Sequence, residues 1–248
     1  MLALIMAAGT GRRLAGSGYD VPKVLLRFGG RSLLERHVTL LERAGVDRLV
    51  VATGYGAQSV ERELARLSPS PAVQTVHNPA YHEGSMVTLW QCRAALESGE
   101  DVLLMDADVL YDARLLAPLL GSPHRNCLLI DRGFEPGEEP VKVCVREGRA
   151  VELRKQIDPE LVYDYEGESV GFFRLSGEAA RHLAAIAGRY VRRGLRGAPH
   201  EEALRDLVRG EAGGPFGFED VTGLPWIEID FPEDVRRAGT KILSRLMG

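Results

Sequence analysis

Cysteine is scarce. Cys92, Cys127 and Cys144 are the only three in 248 residues. They are odd in number and lack CxxC spacing, so neither a disulfide framework nor a zinc site is expected, and a reducing cytoplasm fits. Basic excess is also absent. The 31 Lys and Arg face 35 Asp and Glu, for a net charge of −4, which excludes the broad cationic surface that nucleic acid requires. No apolar run approaches the ~18 residues needed to span a bilayer. The opening MLALIMAAG is apolar but brief, has no basic start and is interrupted at Gly9, so it reads as a core strand rather than a signal peptide. Internal repeats and Ser- or Pro-rich linkers are missing. None of the six histidines stands in a recognisable motif, and His77 and His82 read as structural or surface groups.

What remains is an ordinary globular composition, 45% hydrophobic and 27% charged. In the first half, short apolar runs rich in Val, Ile and Leu (residues 2–6, 48–52, 73–76, 102–105 and 127–130) predict buried strands. Between them, residues 32–44, 57–67, 85–97 and 113–120 carry helical spacing. This alternation predicts an α/β fold: a doubly wound, mostly parallel, Rossmann-like sheet covered on both faces. The pattern changes near residue 140. Residues 141–146 and 150–155 alternate around Glu147-Gly148-Arg149, as in a β-hairpin, and 169–175 is a further strand. Helices follow at 177–193, 200–208 and 232–246, with the strand WIEID (226–230) just before the last. The simplest reading is one domain, 1–248, with a small antiparallel insertion in its second half. Residues 1–135 then form the nucleotide-binding half and 136–248 the acceptor-binding half.

The segment ALIMAAGTGRRL places a glycine loop directly after the first strand. Ligands of doubly wound sheets sit beyond the carboxyl ends of the strands. Glycines there let backbone N–H groups approach phosphate oxygens, and arginines add forked positive charge. A dinucleotide fingerprint would need glycine where Leu14 stands, and the P-loop GxxxxGK is absent. A flexible surface turn with solvated arginines is the plain alternative. Ten residues past Arg13 stands Lys23, in Pro22-Lys23-Val24-Leu25-Leu26.

The combination AAGxGxR…PKxLL resembles the signature of nucleotidyltransferases of the sugar-phosphate and cytidylyltransferase type. The resemblance implies that the loop wraps a triphosphate, with Arg13 and Lys23 facing its phosphates as the catalytic cations and Arg12 a spare charge. Ala8, Gly9, Thr10 and Gly11 belong to the nucleotide site, as does Gly54 in the similar turn Thr53-Gly54-Tyr55. Residues 78–89, NPAYHEGSMVTL, resemble the segment that frames the base, with Ser85 closing the pocket. Nucleotidyl transfer requires charge neutralisation at phosphorus, which Mg²⁺ supplies on one or two carboxylates. Asp108 aligns with the family's metal-binding Asp and is the first ligand. Asp230, ending WIEID, is the second, although it could instead cap the helix that starts after it. Asp106 is assigned to the nucleotide site, with metal ligation or turn capping left open, and Glu228 shares Asp230's strand face.

GESVGFF (167–173) and WIEID resemble cytidylyltransferases acting on phosphocholine and related phosphoalcohols or phosphonates. This implies CTP as donor and a small phosphorylated or phosphonate acceptor, phosphocholine first, with inositol phosphate and aminoalkylphosphonates competing. Lys155 and Glu168 are the implied acceptor residues and Lys142 a weaker one. Tyr165, beside acids, could help cage a quaternary ammonium. A sugar-1-phosphate nucleotidyltransferase using UTP or dTTP shares the loop, lysine and aspartate. A nucleotide-binding module without chemistry is the alternative outside enzymes. A homodimer is left open.

Overall fold

Residues Leu2–Ala7 (β1) form the centre of the sheet, because every second side chain of an unbroken apolar run finds a core. Leu2 and Leu4 enter one hydrophobic cluster, while Ala3, Ile5 and Ala7 enter another on the opposite face. β1 pairs in parallel with β4 (Arg48–Thr53) and β6 (Val102–Asp106), and β4 with β5 (Ala72–His77) at the edge. Helices α1 (Leu33–Arg43) and α2 (Ala57–Leu67) cover one face; the other is covered by α3 (Ser85–Gln91), α6 (Gly177–Arg192) and α7 (His200–Arg209). The computed structural model describes all residues except 15, 71, 136, 138, 211–213 and 248. Among the described residues, no helix is long and apolar enough to cross a membrane. All three cysteines are free and buried.

The antiparallel part is continuous with the main sheet. The long strand β11 (Tyr165–Leu175) runs antiparallel to β6 through Phe172–Leu175, and its first half pairs with β9 (Lys142–Arg146). The hairpin partner β10 (Arg149–Arg154) follows across a turn in which Glu147 and Gly148 both adopt positive φ. The strand expected at 127–130 is β8 (Asn126–Asp131). It does not pair with β6, because β11 lies between them, and a further parallel strand, β12 (Phe216–Asp220), completes that edge. The order is β10-β9-β11-β6-β1-β4-β5, with β8 and β12 off this path.

Other differences are local. The helix expected at 85–97 breaks at Cys92 into α3 and α4 (Arg93–Leu96). The last helix is regular only as α8 (Pro232–Arg237), then widens and tightens through 238–245. Three short strands carry too little pattern to be read in advance, while the strand expected at 226–230 is regular over Trp226–Glu228. β2 (Arg27–Phe28) pairs with β3 (Arg31–Ser32), and β7 (Val109–Tyr111) with β13 (Trp226–Glu228). The second of these pairs builds the site.

Candidate active site

Three chain segments converge beyond the carboxyl ends of β1 and β6. The loop after β1 turns at Gly11, where φ is +60°, and a side chain there would touch the Lys23 stem. Lys23 starts a short 3₁₀ turn, Lys23–Leu25. The preceding Pro22 packs on Gly56 so closely that a Cβ at Gly56 would lie 2.5 Å from its ring. Asp106 ends β6, and Asp108 follows in the turn to β7. The β7–β13 ladder then brings the distant C-terminal strand alongside. Glu228 faces Val109, and the Ile229 N–H donates to the Asp108 carbonyl at 2.9 Å.

The result is a tight charge cluster. Lys23 Nζ lies 2.9 Å from Asp108 Oδ2 and 2.6 Å from Asp230 Oδ1. Asp108, Glu228 and Asp230 each place a carboxylate oxygen within 4.8 Å of the others. These are hard oxygen donors suited to Mg²⁺. Burial works against the Lys23 ammonium, yet Asp108 and Asp230 outweigh it and hold its pKa above the usual lysine value. Glu228 opens onto solvent as a residue, but its carboxyl is crowded by protein. That desolvation, then Asp108 and Asp230, push its pKa well above the carboxylate range. A divalent cation answers such crowding. Asp230 also accepts from Arg13 at 3.0 Å, and its backbone N–H donates to Asp234. The capping of α8 therefore falls to Asp234, which leaves the Asp230 carboxylate to the cluster.

Three clefts meet at these carboxylates. One, of about 260 Å³, is lined by Gly9, Gly11, Arg12, Arg13 and Lys23 and ends on Asp108 and Asp230. The second, of about 350 Å³, holds Ala8, Thr10, Ser85 and Asp106 and ends on Asp108 and Glu228. The third, of about 590 Å³, includes Glu168, Glu139 and Trp226 and ends on Glu228 and Asp230. Each acid of the trio thus lines two of the three clefts.

Gly54 lines none of these clefts. A Cβ there would meet Tyr81 at 2.5 Å and the Ala8 carbonyl at 2.8 Å, so its place is under the loop. Lys142 and Lys155 line none of them either. Lys142 donates to the carbonyls of Gly137 and Lys155, while Lys155 pairs with Glu139 at 3.0 Å, the acid that also receives Arg13. Tyr165 is turned away: its ring packs edge-on against Phe218 and under Arg132. Glu168 does line the third cleft, where burial and then Asp131 push its pKa up to about 7.

Two residues escaped the sequence reading. His200, at the start of α7, lines the second cleft. Its Nε2 lies 3.3 Å from Asp106 and its Nδ1 3.0 Å, off-axis, from Glu201. A Cβ on Gly171 would lie 2.3 Å from Asp106 Oδ2, so that glycine of GESVGFF makes room for the carboxylate. No local signal marks His200, because its partners are distant in sequence. His37, fully buried and held near pKa 4 by desolvation, meets the Ala107 carbonyl at 3.1 Å, behind the Asp108 turn.

The family described as MobA-like NTP transferase domain matches residues 3–212. A bifunctional IPC transferase and DIPP synthase of Rubrobacter xylanophilus is 28% identical over 98% of this chain and 52% of its own length. A CMP-5'-(3-aminopropyl)phosphonate synthase of Streptomyces rubellomurinus is 25% identical, over 95% of this chain and 38% of its own. The inositol-1-phosphate CTP transferase from T. maritima superposes with a TM-score of 0.78 at 25% identity, covering 98% of this chain and 95% of that one. The chain spans about half the length of the first of these relatives.

Proposed function

As the chain belongs to the MobA-like NTP transferase family, we propose that it transfers the cytidylyl group of CTP to a small phosphorylated alcohol or phosphonate, releasing pyrophosphate. The observation that carries this reading is the meeting of three clefts at Asp108, Glu228, Asp230 and Lys23. Nucleotide, triphosphate and acceptor each have a cleft, and the α-phosphorus belongs where the clefts join.

The chemistry is in-line displacement, in which positioning and charge neutralisation do most of the work. Gly9 and Gly11 present backbone to the phosphates, and Arg13 and Lys23 neutralise the charge that spreads toward the leaving pyrophosphate. Asp108 and Asp230, with Glu228 beside them, would hold Mg²⁺, which when bound supplies further positive charge to the phosphate oxygens. Lys23 neutralises the carboxylates in this structure, and with a cation held among them its ammonium would be available to phosphate. No general base is required, since the acceptor's phosphate oxygen is already ionised.

The acceptor cleft suits a molecule with a cation or hydroxyls at its far end. Asp131 is engaged by Trp226 Nε1 and Glu139 by Arg13 and Lys155, which leaves Glu168 and Glu135 to receive a donor. Phosphocholine, favoured by the sequence motifs, would rest its ammonium between Glu168 and the faces of Phe134 and Trp226, without Tyr165. Inositol phosphate is the second reading, favoured by the inositol named for the T. maritima structure; its hydroxyls would donate to the same carboxylate. A panel of CTP, UTP and dTTP against phosphocholine, inositol 1-phosphate, 3-aminopropylphosphonate and glucose 1-phosphate, read by pyrophosphate release, tests both. Pyrophosphate release with CTP and at least one of the first three acceptors is expected. Preference for UTP or dTTP with the sugar phosphate would overturn the reading.

A further inference from the structure

A fourth cleft, of about 320 Å³, opens between α1, the Gly29-Gly30 turn, the end of β7 and the C-terminal segment, and shares no lining residue with the other three. Its charged lining is Arg31, Arg36 and Arg43, with no carboxylate among the described lining residues. None of the three arginines forms an ion pair among the described residues, although the protein is acidic overall. The nearby acids are occupied elsewhere. Glu35 pairs with Arg66 at 2.7 Å, Glu42 receives the Ser70 N–H at 2.6 Å, and Asp112 holds Arg114 and the Met247 N–H, each at 2.7 Å.

Two lining residues also carry buried polar atoms without partners: Nε of Arg36 and the hydroxyl of Tyr111, a residue only 3% exposed. Both atoms are closed off from solvent, so they lie behind the wall of the cleft, and the cleft's accessible donors are the guanidinium ends of its arginines. The Arg36 guanidinium is already fixed, because it donates to the Phe28 carbonyl at 2.7 Å. Arg36 and Arg43 stand seven residues apart on α1, so they share one helix face, with Thr39 and Leu40 between them.

We propose that this cleft is a second anion site, which takes the phosphate group of a small phosphorylated molecule. Three forked guanidiniums offer more donors than one carboxylate can accept, whereas a phosphate dianion presents three oxygens to them. Leu40, Leu243 and Leu246 provide an apolar wall for the remainder of the ligand. The concave shape places the charge inside a pocket rather than across a flat face.

Calorimetric titration with inorganic pyrophosphate, in metal-free buffer and on full-length Lys23→Ala protein, tests the proposal, because that background weakens binding at the triphosphate cleft. Binding of one pyrophosphate per chain is expected. The double variant Arg31→Ala, Arg43→Ala should weaken it by tenfold or more while keeping the melting temperature. Unchanged affinity in that variant would overturn the site. So would binding that appears only with phosphatidylglycerol vesicles and not with free pyrophosphate. Loss of CTP turnover without any change in this titration would bear on the reaction reading alone.

Discussion

Lys23 Nζ and Asp230 Oδ1 lie 2.6 Å apart although 207 residues separate them. The contact joins a 3₁₀ turn near the start of the chain to the end of a short strand near its finish. Neither partner is solvent-free, so the pair matters less for stability than for holding charge at one point.

Replacing Lys23 by Ala is expected to lower kcat/KM by about 10²–10³-fold, the range found when one preorganised positive group is removed from a transition state. The fold should persist, as judged by circular dichroism, because the β-sheet core does not involve this side chain. Turnover close to that of the unaltered protein would remove the lysine from the chemistry.

The carboxylate trio predicts metal-dependent stability. At a Mg²⁺ concentration of about 100 times Kd, binding to the native state alone adds about 2.7 kcal/mol, or roughly 5–10 °C in Tm for a chain of this size. Asp108→Asn and Asp230→Asn should each abolish that shift, and chelation should stop turnover. A variant that melts later with Mg²⁺ by as much as the parent would remove that acid from the metal site.

Glu168 sets a pH dependence. Its pKa in the folded protein is raised to about 7, through burial first and then Asp131. An acid raised in this way is protonated in the fold below that value, and its ionisation opposes folding. Its contribution is therefore most favourable below the ordinary glutamate value of about 4.5 and is lost as pH rises toward 7. Glu168→Gln should flatten thermal stability across pH 4.5–7. For an acceptor that donates to Glu168, KM should fall as pH rises through about 7 in the parent and stay level in the variant. Identical profiles would assign the titration to another group.

Two glycines should separate folding from binding. At Gly171, φ is +80° and a Cβ would lie 2.3 Å from Asp106 Oδ2, so Gly171→Ala should cost about 2 kcal/mol or more. At Gly9 nothing lies within 4 Å of an added Cβ. Gly9→Ala should melt within about 0.5 kcal/mol of the parent yet bind CTP at least tenfold more weakly, since Gly9 lines both of the clefts proposed for the nucleotide. Thermal melts paired with CTP titrations distinguish the two. Equal loss of stability in both would contradict this geometry.

Most of the α/β frame was legible because its strands are buried on both sides. Runs such as LALIMA and RLVVAT have no competing helical period, and the helices between them carry clear apolar faces. The insertion of β11 between β6 and β8 was not legible, because strand order depends on pairing partners that sequence periodicity does not encode. Short strands such as β2 and β7 were missed for want of length. In the site, Arg13, Lys23, Asp108 and Asp230 were legible from motif and chemistry, and the structure brings them together. Lys142, Lys155 and Tyr165 share strands or neighbouring loops with the cleft that Glu168 lines, but their side chains are taken up by nearer partners.

The linear chain by itself determined the alternating strands and helices, the glycine loop and the types of charge available, because these follow from side-chain periodicity and backbone freedom within a few residues. Only the tertiary structure decided which charges meet. Pairing of β7 with β13 sets Glu228 and Asp230 beside Asp108, and burial of Asp106 against Gly171 draws in His200. Electrostatic interaction falls off with distance through space rather than along the chain, so groups far apart in sequence acquire their chemistry when packing closes that distance.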